Sequence, residues 1–314
     1  MMEFRLPLGE WVEAFSDFVT DTFAGLFDVI AAIFGGFYDG VDWLLATPPF
    51  WVIMIILAIA GFFARGWVFA VGTVVGLLLI LSVNQWDNAM DTLALTLVAA
   101  VIAVIIAIPV GIWAARSDTA SKVIRPILDF LQTMPAFVYL IPAIFLFSVG
   151  VVPGVVATIL FAVAPGVRLT ELGIRGVDTE VVEAGHAFGA SPRRILMQIQ
   201  LPLARPSIMA GVNQVIMLSL SMVVIASMVG APGLGKPIIS ALQSINIGLG
   251  FEAGLSVVIL AILLDRLTAT LGGDHKKKRA KPAASASDTS QNASDDAEET
   301  TEAGQKRAAA ADVS

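Results

Sequence analysis

The chain has 314 residues, of which 57% are hydrophobic and only 14% charged, with a mean hydropathy of +0.83. Soluble domains carry about one-quarter charged residues, so this composition excludes a soluble globular protein. The net charge of −7 mixes segments of opposite sign, and a chain without cysteine cannot form disulfides, thiolate metal sites or a cysteine nucleophile.

The charges gather in the N-terminal region, in residues 165–206 and toward the C-terminus. Between them lie long apolar runs with no period of two, so the expected fold class is an all-α polytopic membrane protein and not a barrel. The opening residues, MMEFRLPLGEW, lack a basic stretch followed by an apolar core, so no cleavable signal peptide is expected. Residues 1–48 read as an external acidic region: Glu3, Glu10, Glu13, Asp17, Asp21, Asp28, Asp39 and Asp42 stand against Arg5 alone. Phe23 to Leu45 is apolar but carries three of those aspartates. It reads as an amphipathic helix lying on the surface, with an eighth span as the alternative.

A hydrocarbon core of about 30 Å needs roughly 20 helical residues. On that measure seven spans are expected near residues 49–64, 67–83, 91–114, 128–149, 151–167, 208–229 and 251–269. They make residues 49–271 a transmembrane domain. Basic residues set the orientation. Arg65, the group Arg116, Lys122 and Arg125, the group Arg168 to Arg205, and the cluster His275 to Lys281 fall on one side of a seven-span chain. That side is expected to be the cytoplasm, giving N-terminus out and C-terminus in. Residues 272–314 are rich in Ala, Ser, Thr, Asp and Glu and are expected to be a disordered cytoplasmic tail. Its opening basic cluster suits anionic lipid headgroups, either as a plain anchor or as a regulatory segment that senses ionic strength.

Residues 183–202, EAGHAFGASPRRILMQIQLP, form a polar island between apolar runs. A short helix is expected to begin near Thr179, with Val181, Val182, Ala184, Ala187 and Phe188 as its apolar positions. Gly189 then supplies a left-handed cap. Ser191 and Pro192 are a favoured pair to start a second helix, with Ile195, Leu196 and Ile199 along one side. Pro202 and Pro206 are expected to stop it before the next span. From the residues alone, this bent pair either packs on its own bundle or is gripped by a partner.

The spacing adds a resemblance. Glu183-Ala184-Gly185, three residues, Gly189, nine residues, Ile199, one residue and Leu201-Pro202 resembles the signature EAA-x3-G-x9-I-x-LP of the membrane subunits of ABC importers. Glycine at the third position is the one departure, small for small. The resemblance implies a type I ABC importer fold in which residues 179–202 are the coupling helices that dock into a groove of the ATPase subunit. Glu183 would make polar contacts there, Ala184 and Gly185 would allow close approach, and Gly189 would make the turn ahead of Leu201 and Pro202. Residues 201–235, and LQTMPAFVYLIP at 131–142, resemble the permeases of osmoprotectant importers for glycine betaine and proline over about residues 85–270.

The resemblance implies a transport subunit and not an enzyme. No G-x-x-x-x-G-K-[ST] is present to hold ATP phosphates, so ATP and Mg belong to a partner ATPase. The other implied partners are an extracytoplasmic solute-binding protein, a second permease copy and membrane lipids in the cell inner membrane, with no nucleic acid. Candidate cargoes are glycine betaine, proline betaine, choline, carnitine and proline. The alternatives are a permease for another small solute, such as an amino acid, or an ion-coupled secondary transporter.

Several residues inside the apolar runs remain candidates for the pathway. Asn213 and Gln214 are polar within a span, and Met217 and Met222 could line an adaptable route, although plain packing explains the methionines as well. Trp86, Phe137 and Tyr139 could meet a quaternary ammonium ion by cation–π contact. Asp265 and Arg266 read as a local ion pair. Gly230 to Gly235 reads as an external loop, with a gate or re-entrant turn as the alternative. No His, Asp and Glu grouping suggests a metal.

Overall fold

The computed structural model describes residues 7–271. The expectation of a disordered tail at 272–314 therefore lies outside the described residues. Within them the chain is helical throughout, as its continuous apolar runs require of a backbone that must satisfy its own hydrogen bonds in lipid.

The elements in chain order are α1 (Leu8–Thr22), α2 (Ala24–Ala46), α3 (Phe50–Arg65), α4 (Trp67–Ser82), α5 (Trp86–Arg116) and α6 (Asp118–Thr133). A 3-10 turn (Ala136–Tyr139) leads into α7 (Leu140–Phe147), followed by α8 (Val151–Arg175) and α9 (Thr179–Ala187). Next come α10 (Pro192–Ile195), a π turn (Leu196–Gln200) and α11 (Leu201–Ala226). Then α12 (Gly235–Ser244) and α13 (Ile247–Leu271) complete the described chain.

At the centre α8 lies between α5 and α11. The facing surfaces are built of small residues, which lets backbones approach where lipid offers no hydrophobic drive. A Cβ at Gly166 would stand 2.8 Å from the Ala107 Cβ and 2.9 Å from the Val215 Cγ2, so glycine is what seats α8 against both neighbours. On this trio pack α2, α7 and α13, while α3 and α4 pair with each other and lean on α13.

The span count differs from the expected seven. Among the described residues, five helices are long and apolar enough to cross a membrane, or six if one bent pair counts as a span. Residues 24–46, expected on the surface, are among them. That helix carries its aspartates far enough apart to keep an apolar window, and it buries Tyr38 against the bundle. The expected spans at 49–64 and 67–83 form α3 and α4, each of 16 residues. At 1.5 Å per residue each is about 24 Å long, short of the hydrocarbon thickness. The expected single span at 128–149 is broken: α6 and the segment Ala136–Phe147 meet at 110°. Pro135 is the cause, because it forces Met134 into an extended conformation (φ −75, ψ 136) that no helix can continue through. The other four expected spans coincide with α5, α8, the 192–229 helix and α13.

Two sets of contacts define two ends of the bundle. At one end Arg175, in the last turn of α8, donates from Nη2 to the Ala114 carbonyl at 2.9 Å and from Nη1 to Asp118 Oδ1 at 2.8 Å. This joins the end of α5 and the start of α6 to the root of α9. At the other, the Gly150 N–H donates to the Val229 carbonyl at 3.1 Å, and the Leu234 N–H donates to Thr92 Oγ1 at 2.8 Å. The segment 230–235 is therefore not an ordinary external loop. Ala231 and Leu234 are fully buried, and the turn is wedged against the first turns of α5.

Candidate functional site

The polar island folds as a bent helical element projecting from the end of α8. Asp178 caps α9 by accepting the Glu180 N–H at 2.9 Å. The helix closes in a Schellman arrangement: the Ala190 N–H donates to the Gly185 carbonyl at 3.1 Å and the Gly189 N–H to the His186 carbonyl at 2.9 Å. This geometry needs a left-handed residue, and Gly189 has φ +76. Ser191 and Pro192 begin α10 as expected, but the Ser191 hydroxyl makes no capping bond.

Pro202 and Pro206 do not stop the second helix. Pro192 to Val229 runs as one long helix of 38 residues. The π turn at Leu196–Gln200 resets the hydrogen-bond register just before Pro202, so Pro202 falls in the first turn of α11. The extra residue that the π turn takes into the helix lets the ladder pass the N–H that Pro202 lacks. The element's second helix thus runs on into α11.

The signature residues divide between two surfaces. Glu183, Ala184, Gly189 and Pro202 are exposed. Gly185 is not turned outward. A Cβ there would come within 2.9 Å of Ile199 Cδ1 and 3.4 Å of Ile195 Cγ1, so its small size serves packing inside the element and not the approach of a partner. Leu201 is half-buried and joins a cluster of Ile174, Leu196 and Ala204 that ties the element's base to α8 and α11. Ile195 is buried as well, at 2% exposure.

Phe188 departs from its expected place. The pattern of α9 puts it on the apolar side, yet its ring is 93% exposed at the corner of the bend. A local signal marks the difference: Phe188 directly precedes the left-handed Gly189, where the helix's faces no longer apply. Met197, at 55% exposure, and Arg193 and Arg194 lie exposed on the following segment.

The candidate pathway residues separate too. Asn213 bridges helices: its Nδ2 donates to Asp265 Oδ1 at 3.1 Å, and its Oδ1 accepts from the Thr268 hydroxyl. Asp265 also pairs with Arg266 at 3.6 Å. Met222 is fully buried in the core and lines no open surface in this chain. Gln214 is exposed and Met217 half-buried, which leaves these two accessible. The three aromatics have separate neighbours. Trp86 meets Phe50 edge-on at 6.2 Å, Phe137 is exposed, and buried Tyr139 meets Phe161 at 5.9 Å while donating to the Leu131 carbonyl. Among the described residues, no group of three or more His, Cys, Asp or Glu could hold a metal.

An all-helical bundle with a projecting element of this spacing matches the membrane component of a transport system. The match to the family "Binding-protein-dependent transport system inner membrane component" covers residues 107–272, and the chain belongs to that family as a multi-pass inner-membrane protein. It is 47% identical over 264 residues to the glycine betaine transport system permease protein OpuAB of Bacillus subtilis, covering 84% of this chain and 94% of that one. It is 48% identical to the glycine betaine/carnitine transport permease protein GbuB of Listeria monocytogenes, with 84% and 94% covered. Against the glycine betaine/proline betaine permease protein ProW of Escherichia coli it is 46% identical, with 87% and 77% covered. Among solved structures, a chain of the MetNI methionine ABC transporter in an inward-facing conformation has the same fold. The TM-score is 0.54 at 21% identity, covering 59% of this chain and 93% of that one.

Proposed function

We propose that this chain is the permease subunit of an ATP-driven importer of compatible solutes of the glycine betaine class, and that residues 179–202 are the surface through which an ATPase subunit moves it. The observation that carries the coupling role is the exposed corner of Glu183, Ala184, Phe188 and Gly189 standing on a buried root of Ile174, Leu196 and Ala204, against which Leu201 packs. A force on that corner reaches α11 through the packing of Gly185 on Ile195 and Ile199, and α8 through the apolar cluster at the element's base. The three relatives are permeases for glycine betaine, for glycine betaine and carnitine, and for glycine betaine and proline betaine, which supports that class of solute.

The coupling element, on this reading, faces the cytoplasm, and the end of α5 and the start of α6 lie on its side through Arg175. The two spans that follow the element, α11 and α13, return the chain to that same side. Gln214 and Met217 remain pathway candidates; Asn213 and Met222 serve packing. ATP and Mg act on the ATPase chain, an extracytoplasmic solute-binding protein delivers cargo, and a second permease copy completes the route. ATP and the loaded binding protein are then the ligands that favour opposite arrangements of the bundle.

The test is ATPase activity of the reconstituted complex, screened across glycine betaine, proline betaine, choline, carnitine and proline with their binding protein. A betaine should stimulate hydrolysis, and uptake should stop without ATP. Uptake that persists in the absence of any ATPase refutes the proposal.

A further inference from the structure

Glu171 lies on α8 between the bundle core and the coupling element, and it is 3% exposed. A buried carboxylate is costly unless its charge is fully partnered. Here a single oxygen, Oε1, accepts from Ser121 Oγ at 2.7 Å and from Arg125 Nη2 at 2.9 Å, both on α6. The Arg175 Nε stands 3.1 Å from the same oxygen, and Arg175 reaches on to Asp118 at the start of α6. One turn before Glu171, Arg168 pairs with Asp129, again on α6. The charged contacts of α6 therefore converge on one stretch of α8, and Glu171 is the buried member among them.

The rest of α8 is locked differently. A Cβ at Gly173 would stand 2.7 Å from the Ser207 Cβ, and one at Gly111 would stand 2.6 Å from the Thr170 Cβ. Steric fit thus makes α5, α8 and α11 a single body, and α9 packs on the segment leading into α11 through Gly185 against Ile195 and Ile199. By contrast α6 leaves Val123, Ile127 and Phe130 more than half exposed and meets α8 through a narrow apolar strip of Ala120, Ile124 and Leu128. A strip of that kind can slip by a turn. A buried carboxylate gripped from α6 resists that slip, because any other register takes away both of its α6 partners, Ser121 and Arg125.

We propose that Glu171 is a positioning residue that fastens α6, and with it the bent α6–α7 segment, to the root of the ATPase-facing element. This rests on the coupling role proposed for residues 179–202. Displacement of that element is then passed through α8 and Glu171 to α6, which moves with the lever and does not slide along it. Ser121 and Arg125 are the α6 half of the fastening. Arg175 holds the carboxylate from its own helix.

The experiment uses the full complex of permease, ATPase and binding protein in liposomes, and reads solute taken up per ATP hydrolysed. A purely structural loss lowers both rates together and leaves that ratio unchanged. Glu171→Gln keeps the shape and removes the charge. It should retain solute-stimulated hydrolysis while the ratio falls about tenfold, the size expected from losing a buried charge-assisted contact. The double variant with Arg125→Gln should be no worse than Glu171→Gln alone. If Glu171→Gln does not assemble, Arg125→Gln decides, since its side chain is 58% exposed and leaves no cavity. A wild-type ratio in the assembled variant overturns the inference. Wild-type uptake and hydrolysis in Glu183→Arg overturn the coupling role itself, so the two failures are distinct.

Discussion

Gly185 on α9 lies directly against Ile199 in the π turn, with the site of a Cβ only 2.9 Å from Ile199 Cδ1. The atom it meets is the free end of a side chain, so a methyl group can be taken up by a small rotation of Ile199. Gly185→Ala should therefore keep uptake within about twofold of wild type. Gly185→Val adds branched bulk that neither Ile195 nor Ile199 can clear, at a cost of about 1–3 kcal/mol. Uptake by that variant should fall severalfold, with the permease still present in the membrane.

Gly189 tests the backbone instead of the packing. No atom lies within 4 Å of a Cβ placed there, yet φ is +76. Only conformation opposes a side chain, at about 1–2 kcal/mol for ordinary residues and more for a β-branched one. Gly189→Val should abolish uptake and lower ATPase co-purification, whereas Gly189→Asn, which tolerates this conformation, should retain much of both. Equal loss in the two variants would point to the side chain itself.

The exposed corner makes a separate prediction. Phe188 is 93% exposed on the element proposed to meet the ATPase, a placement that favours cover by an apolar socket there. Truncating an aromatic anchor of an interface costs about 2 kcal/mol or more. Phe188→Ala should weaken the affinity of the purified permease for its ATPase at least tenfold, and Glu183→Arg should abolish uptake. Affinity and uptake equal to wild type in both variants would remove this corner from the interface.

Asn213 should behave as a tie between helices. Its amide joins α11 to Asp265 and Thr268 of α13, so Asn213→Ala strands partly buried polar groups at about 1–3 kcal/mol. Thermal unfolding in detergent should shift downward, while the order of preference among betaines stays as in wild type. A changed preference with unchanged stability would return Asn213 to the pathway.

Several of these relationships are legible without coordinates. The bend at Gly189, the start of α9 near Thr179 and the Ser191-Pro192 opening of α10 depend on residues within a few positions of each other, and each stands where the spacing puts it. The proline stops fail for an equally local reason, because a π turn of five residues absorbs what Pro202 would break. The bend in the expected span at 128–149 is written in Met134-Pro135, but its apolar flanks conceal it.

Composition and short-range spacing by themselves determined the class of the protein: a helical membrane bundle with a bent polar element between two of its later spans. Only the tertiary structure decided which way residues face. Helices that are apolar all round have no periodic stripe to mark a buried side, so nothing local indicates that Gly185 turns inward, Phe188 outward or Met222 into the core. The fastening of Glu171 to Ser121 spans 50 residues and that of Asn213 to Asp265 spans 52. Such pairs form because burying a polar group in a low-dielectric interior compels it to find a partner, and which partner it finds is settled by packing alone.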